Sequence, residues 1–289
     1  MSEELHIASQ EGEIEKVKIL LDKGANINEQ DEYGCTPLHW ACQEGYTQLV
    51  GLLIENGADI ILPNREGLLP FDIAIDLGHI EIVQLFIAHN LPLAKNPKIS
   101  TTLHIAATLG YQEIVAILLQ SGWNVNRKDE EGKGRTPLHW VAQEGHLEVA
   151  QLLVEKGADI NDKDEEGFTP LNIAVGEGHT ELVKFLVEKG GDINVERSFS
   201  NGTPLHTACA WERFDIAKFL LENGANLEAK DDEGCTPIFY AVMYGYIELV
   251  EMLNSMGANT HVQDNEGNSL MGMAISNGDE DLVLMLKQT

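Results

Sequence analysis

Four residues, Thr136-Pro137-Leu138-His139, recur along this chain at a nearly fixed interval. Thr36-Pro37-Leu38-His39 and Thr203-Pro204-Leu205-His206 repeat them outright. Thr169-Pro170-Leu171-Asn172, Thr236-Pro237-Ile238-Phe239, Thr101-Thr102-Leu103-His104 and, more faintly, Leu69-Pro70-Phe71-Asp72 are near copies. Their first positions fall at 36, 69, 101, 136, 169, 203 and 236, in steps of 33, 32, 35, 33, 34 and 33. Stepping outward by one period reaches Glu3, with Leu5-His6-Ile7-Ala8, and Ser269, with Met273-Ala274. That gives nine units, the outer two degenerate. A fixed period of this size predicts a stacked array in which each unit buries its apolar face on its neighbours, and it excludes a single compact core.

The second unit carries the local logic of all of them. Asp31-Glu32-Tyr33-Gly34 reads as a turn, with a glycine able to take positive φ. Thr36 stands where a helix N-cap belongs, and Pro37 at the first helical position, where a missing N–H costs little. A short helix through Leu38, Ala41 and Cys42 stops at Gly45. A second helix presents Leu49, Val50, Leu52 and Leu53 on one face and closes at Gly57-Ala58-Asp59-Ile60.

These residues resemble the ankyrin repeat. The family's D-x-x-G turn, T-P-L-H-x-A, glycine before helix two, L-L pair and G-A-x-x-N are matched in the sixth unit and the turn before it. The matching residues are 164–167, Thr169-Pro170-Leu171, Gly178, Leu182-Val183 and Gly157-Ala158-Asp159-Ile160-Asn161. The resemblance implies an all-α solenoid of stacked antiparallel helix pairs, with β-hairpin-like fingers along one edge. It divides the chain into a cap repeat at 1–30, internal repeats at 33–62, 66–95, 98–127, 133–162, 166–195, 200–229 and 233–262, and a cap at 266–289. It further implies that His39, His104, His139 and His206 tie finger to helix, and that His79, His146 and His179 hold a second repeat position. Asn28, Asn126, Asn161 and Asn194 match a position that is hydroxylated in some members of the family.

The irregular places carry their own expectations. The first unit lacks a finger, and Glu280 replaces the apolar residue seen as Ile247, so both ends read as caps of a complete array. Residues 90–97 lose the G-A motif and gain two prolines, which places a hinge at 90–100. The fingers at 129–135 and 196–202 are longer by two residues and one.

The formal charge of −28 and a pI near 4.5 exclude a general nucleic-acid binder, whose phosphate contacts need clustered Lys and Arg. Cys35, Cys42, Cys209 and Cys235 form no C-x-x-C pair and read as free thiols in a reducing compartment. The acidic start has no basic or apolar leader segment, and no apolar run reaches the ~20 residues that span a bilayer. A soluble, cytoplasmic monomer is expected, with a nuclear location or delivery into a host cell left open.

No catalytic signature is present: neither G-x-S-x-G, P-loop, H-E-x-x-H nor a dinucleotide fingerprint. The Asp/Glu runs at 129–131 and 164–166 lack the spaced ligand loop of a calcium site. No enzyme, cofactor or metal is expected, and function falls to the surface that the repeat does not dictate. Residues four, seven and eight positions after each motif threonine share one face of the first helix, which in the family lines the concave groove. That face and the fingers supply the candidate partner-binding residues: Trp40, Trp140, Trp211, Tyr240, Met243 and Tyr244 on helices, and Tyr33, Phe168, Lys133 and Arg135 on fingers. Trp211, Tyr240, Met243 and Tyr244 form an expected aromatic patch, although Trp40, Trp140 and Tyr240 also read as packing of the seam between units. Arg65, Lys95, Lys98, Arg127, Lys128, Lys133 and Arg135 form a basic island, either charge-balancing or a dock for an acidic or phosphorylated group. The composite expectation is a non-enzymatic interaction scaffold for a protein or peptide with a basic face. The alternative is an acidic inhibitor or antitoxin-like protein that imitates nucleic acid and blocks a basic enzyme surface.

Overall fold

The computed structural model describes residues 2–89, 102–129, 133–197, 200 and 202–288. The expected hinge, with Lys95 and Lys98, lies outside them. The chain divides into two compact units, Met1–Asn124 and Val125–Thr289. The first holds four helix pairs: α1 (Ser2–Gln10) with α2 (Ile14–Asp22), α3 (Pro37–Gln43) with α4 (Thr47–Glu55), α5 (Pro70–Asp76) with α6 (Ile80–Ala88), and α7 (Thr102–Thr108) with α8 (Gln112–Gln120). The second holds five. These are α9 (Pro137–Glu144) with α10 (Leu147–Glu155), α11 (Pro170–Glu177) with α12 (Thr180–Glu188) and α13 (Pro204–Ala210) with α14 (Phe214–Glu222). The last two are α15 (Pro237–Met243) with α16 (Ile247–Ser255), and α17 (Leu270–Asn277) with α18 (Glu280–Leu286). Among the described residues there is no strand, only an isolated bridge between Gln263 and Ser269. Within each unit, every first helix packs on the first helices before and after it. Each unit is therefore a solenoid of stacked helix pairs.

Why these residues make these helices is visible at their starts. Thr36, Thr136 and Thr203 are extended, with ψ between 165° and 169°, and proline follows at the first helical position. His139 Nδ1 accepts hydrogen bonds from the Thr136 backbone N–H at 3.1 Å and from its hydroxyl at 2.7 Å. On the far side of the ring, Nε2–H donates to the Phe168 carbonyl, 3.0 Å away in the next finger. His39 and His206 repeat this bridge to Leu68 and Cys235. One imidazole thus caps its own helix and ties it to the following unit. Burial holds all three rings neutral, pushing His39 down to about 4 and lowering His139 and His206 in the same direction.

Departures from the motif have visible consequences. Asn172 reproduces the cap on Thr169, and its buried Nδ2 finds no partner among the described residues. Asp72 keeps half of the cap, accepting the Leu69 N–H at 2.9 Å, and turns its other oxygen to the Thr102 hydroxyl at 3.2 Å. Phe239 offers no acceptor, and the buried hydroxyl of Thr236 has no partner among the described residues.

The fingers are closed loops that also bond to one another. Asp31 N–H donates to Cys35 O within its finger, and Arg65 N–H donates back to Tyr33 O across to the preceding one. The same pair recurs at Asp164 and Phe168, with Glu165 reaching Lys133. Gly34 has φ +76°, and a Cβ there would sit 2.7 Å from the Arg65 nitrogen, so the finger-to-finger bond requires glycine. Between units, Asn126, Asn161 and Asn194 each accept the backbone N–H of the residue one period on, or a neighbour of it, and donate to a glycine carbonyl. The asparagines of the G-A-x-x-N motif are thereby structural pegs.

The core is aliphatic: Leu38, Ala41, Leu49, Val50 and Leu53 in the second unit of the repeat are fully buried, as are Leu138, Val141, Ala150 and Leu153 in the fifth. At about 2 kcal/mol per buried leucine, this layer stabilises each pair against its neighbours. Lys16, paired with Glu13, stands where inner units bury Leu49 or Leu249 and makes the outer face of the first unit polar. The ninth unit differs from the expected polar cap. Ile275 and Leu284 are 61% and 56% exposed there, so Glu280 does not by itself make that face polar. The four cysteines are buried free thiols.

Candidate partner-binding surface

In the unit Met1–Asn124, the fingers and the first helices enclose a groove of about 880 Å³. Tyr33 and Trp40 form one wall, and Leu68, Ile73, Leu77 and Ile105 the other. Glu32, Glu66, Asp72 and Asp76 supply four carboxylates, against one cation from Arg65. A second hollow, sharing Glu32, Tyr33 and Trp40, continues beneath α1 past Ile7 and Glu29. Tyr33 is 62% exposed at the finger tip. Trp40 is half-buried, and its indole N–H donates to Asp31 Oδ2 at 2.9 Å, which fixes the ring between helix and finger. Asp72 is buried, and desolvation raises its carboxyl above the usual range although the Leu69 amide and Thr102 hydroxyl favour the ionised form.

In the unit Val125–Thr289 the candidate residues behave in three ways. Trp140 and Tyr240 copy Trp40, donating to Asp129 Oδ2 at 2.8 Å and to Asp231 Oδ2 at 2.6 Å. Both are half-buried struts between a helix and its own finger, so seam and groove are one position here. His206 meets the Tyr240 ring edge-on at 5.9 Å.

The basic finger residues are engaged within the fold. Arg135 Nε donates to buried Asp164 at 3.1 Å and Nη1 to Gln143 at 2.8 Å, and the guanidinium lies 5.4 Å over the Trp140 ring. Its side chain is only 13% exposed. Lys133 pairs with Glu166 at 3.0 Å, Lys128 with Asp162 at 2.7 Å, and Arg197 covers the Phe168 ring at 5.2 Å. Each cation staples one finger to the next, and a half-buried guanidinium already facing a carboxylate is not open to a phosphate. The expected island thus resolves, among these residues, into finger staples, with Lys133 the more exposed.

Trp211 and Tyr244 are different. They stand at the C-caps of α13 and α15, 63% and 53% exposed, with Met243 half-buried beside Tyr244. Tyr244 lies 5.9 Å from the Tyr246 ring. After Trp211 the backbone turns through Glu212 with φ +53°, where other units use a glycine such as Gly145. A left-handed non-glycine residue costs about 1 kcal/mol, and it sits directly beside the most exposed tryptophan.

Aromatic residue type, read along the sequence, does not point to the far wall of the first groove. The signal for it is Leu77 and Leu109 at helix positions that hold Glu44, Glu144 and Glu177 in other units; both leucines are well exposed. Among the described residues, no three His, Cys, Asp or Glu side chains are grouped to hold a metal, and no helix is long and apolar enough to cross a membrane.

Stacked helix pairs, left-handed glycine stops and finger-to-finger bonds define a helical repeat solenoid of the protein-interaction class. The family model for ankyrin repeats (3 copies) matches at residues 5–96, 71–164, 103–197, 161–231 and 192–264, and the chain belongs to the ankyrin repeat family. Ankyrin repeats are generally protein–protein interaction modules. No curated protein matches the sequence.

Proposed function

We propose that this chain is a non-enzymatic scaffold that holds a protein or peptide partner along its first helices and fingers. One observation carries this: the repeat takes Trp40, Trp140, Tyr240 and Arg135 into struts and staples, yet leaves Trp211 and Tyr244 largely exposed at helix ends. Large aromatic side chains have few rotatable bonds and bury much area on binding at low entropic cost. The net charge of −28 favours a partner with a basic face and speeds its approach. Met243 and Phe168 add to the surface within Val125–Thr289, and Tyr33 and Trp40 are candidates within Met1–Asn124.

A second use of the same charge is imitation of nucleic acid, blocking a basic enzyme surface. It requires affinity that falls steeply with salt, whereas aromatic anchoring does not. Capture on immobilised protein, with Trp211→Ala/Tyr244→Ala alongside, tests the scaffold. Partners held by the intact chain are expected to be lost from the variant at 0.5 M salt as well as at low salt. Equal capture by both would remove these anchors.

A further inference from the structure

The groove in Met1–Asn124 combines apolar walls with carboxylates among its lining residues. Among the described residues that line it, four acids face a single arginine. Asp76 and Glu66 are exposed at the rim, and Asp72 is buried behind them with a backbone amide and a hydroxyl as its hydrogen-bond donors. Trp40 is held by Asp31, is half-buried and lines the groove, and an indole face is a surface on which a planar cation stacks. At about 880 Å³ the space lies within the range of specific ligand sites, and the adjoining hollow extends it lengthwise. A free monovalent cation would have no use for the Leu68, Ile73 and Leu77 wall, and an acidic ligand would meet like charge.

Resting on the interaction function proposed above, we infer that this groove receives an extended peptide segment of a partner protein through an arginine side chain, stacked on Trp40 and paired with Asp76 and Glu66. Apolar side chains on either side of the arginine lie against Leu68, Ile73 and Leu77. Arginine fits better than lysine because its planar guanidinium can stack and bridge two carboxylates at once. Asp72 adds negative potential from behind without contact. Trp211 and Tyr244 belong to the other unit, Val125–Thr289.

The test uses a pooled library of ten-residue peptides with randomised flanks and a central arginine, mixed with the same library carrying citrulline, its uncharged isostere. Both are passed over the immobilised full-length chain, and retained peptides are counted by mass spectrometry. Arginine peptides are expected to exceed citrulline peptides by about tenfold or more. The excess should fall to near parity on Asp76→Asn/Glu66→Gln, two exposed positions whose change leaves the core intact, and persist on Trp211→Ala/Tyr244→Ala. Parity on the intact chain, or an excess that survives Asp76→Asn/Glu66→Gln, overturns the arginine site. Parity together with a partner lost from Trp211→Ala/Tyr244→Ala removes this site alone. A tenfold excess with partner capture untouched by that variant removes the aromatic anchors and keeps the groove.

Discussion

His139→Ala is expected to destabilise the unit Val125–Thr289 by about 3 kcal/mol, more than any surface change in it. The loss has two sources. The Thr136 N–H and hydroxyl lose their shared acceptor inside a buried helix start, and the ring's volume becomes a cavity between helix and finger. The Phe168 carbonyl suffers less, because the Asp164 N–H still donates to it within the finger. His139→Asn separates the parts. Its carbonyl can serve Thr136 as Asn172 serves Thr169, so only the reach to Phe168 and some volume are lost, about 1–2 kcal/mol. Urea unfolding with hydrogen exchange at residues 164–168 reads both. Equal losses for the two variants would mean that the cap is not what the imidazole supplies.

Acid is expected to loosen the stack through the same rings. The folded-state pKa of His39 is depressed to about 4, below the ordinary 6.5, by burial. The unfolded chain therefore takes up its proton first as pH falls. Stability is fully present above about 6.5, declines through the interval down to about 4, and is flat beneath it. At pH 5 this single ring costs about 2 kcal/mol relative to pH 7.5. His139 and His206 act in the same direction. Asp72 opposes them, since its raised pKa lets the folded state hold a proton first on acidification, and lower overall charge also eases self-repulsion. The clean measurement is the difference in pH slope between wild type and His39→Asn. The variant should keep its urea midpoint better between pH 7 and 5, and parallel slopes would contradict the assignment.

Much of this molecule is legible in its sequence because one period sets it. Thr36, Pro37 and His39 announce a cap, a helix start and a bridge, and each does what its chemistry suggests. The shortfall begins where a residue's partner lies one unit away. Nothing local in Arg135 says that Asp164 and Gln143 will occupy its guanidinium, because the contact depends on how one finger stacks on the next. Trp140 and Tyr240 are readable in sequence as anchors or as seam packing, and only Asp129 and Asp231 beneath them show the strut. The period places Asp76 and Leu77 on the groove-facing side, but they are ordinary residue types, and only their shared lining of one groove with Trp40 sets them apart from the same positions in other units. At the ninth unit, Glu280 suggests a polar face, while Ile275 and Leu284 stand exposed in the same unit.

Partner affinity is expected to reside in the side chains the repeat leaves free. This is tested most directly by titration calorimetry of a captured partner against wild type and Trp211→Ala/Tyr244→Ala, with thermal melts of both. The expected result is a Kd weakened by about 100-fold or more with an unchanged melt, as befits two truncated aromatic anchors. A Kd within about twofold of wild type, well under 1 kcal/mol, would contradict it.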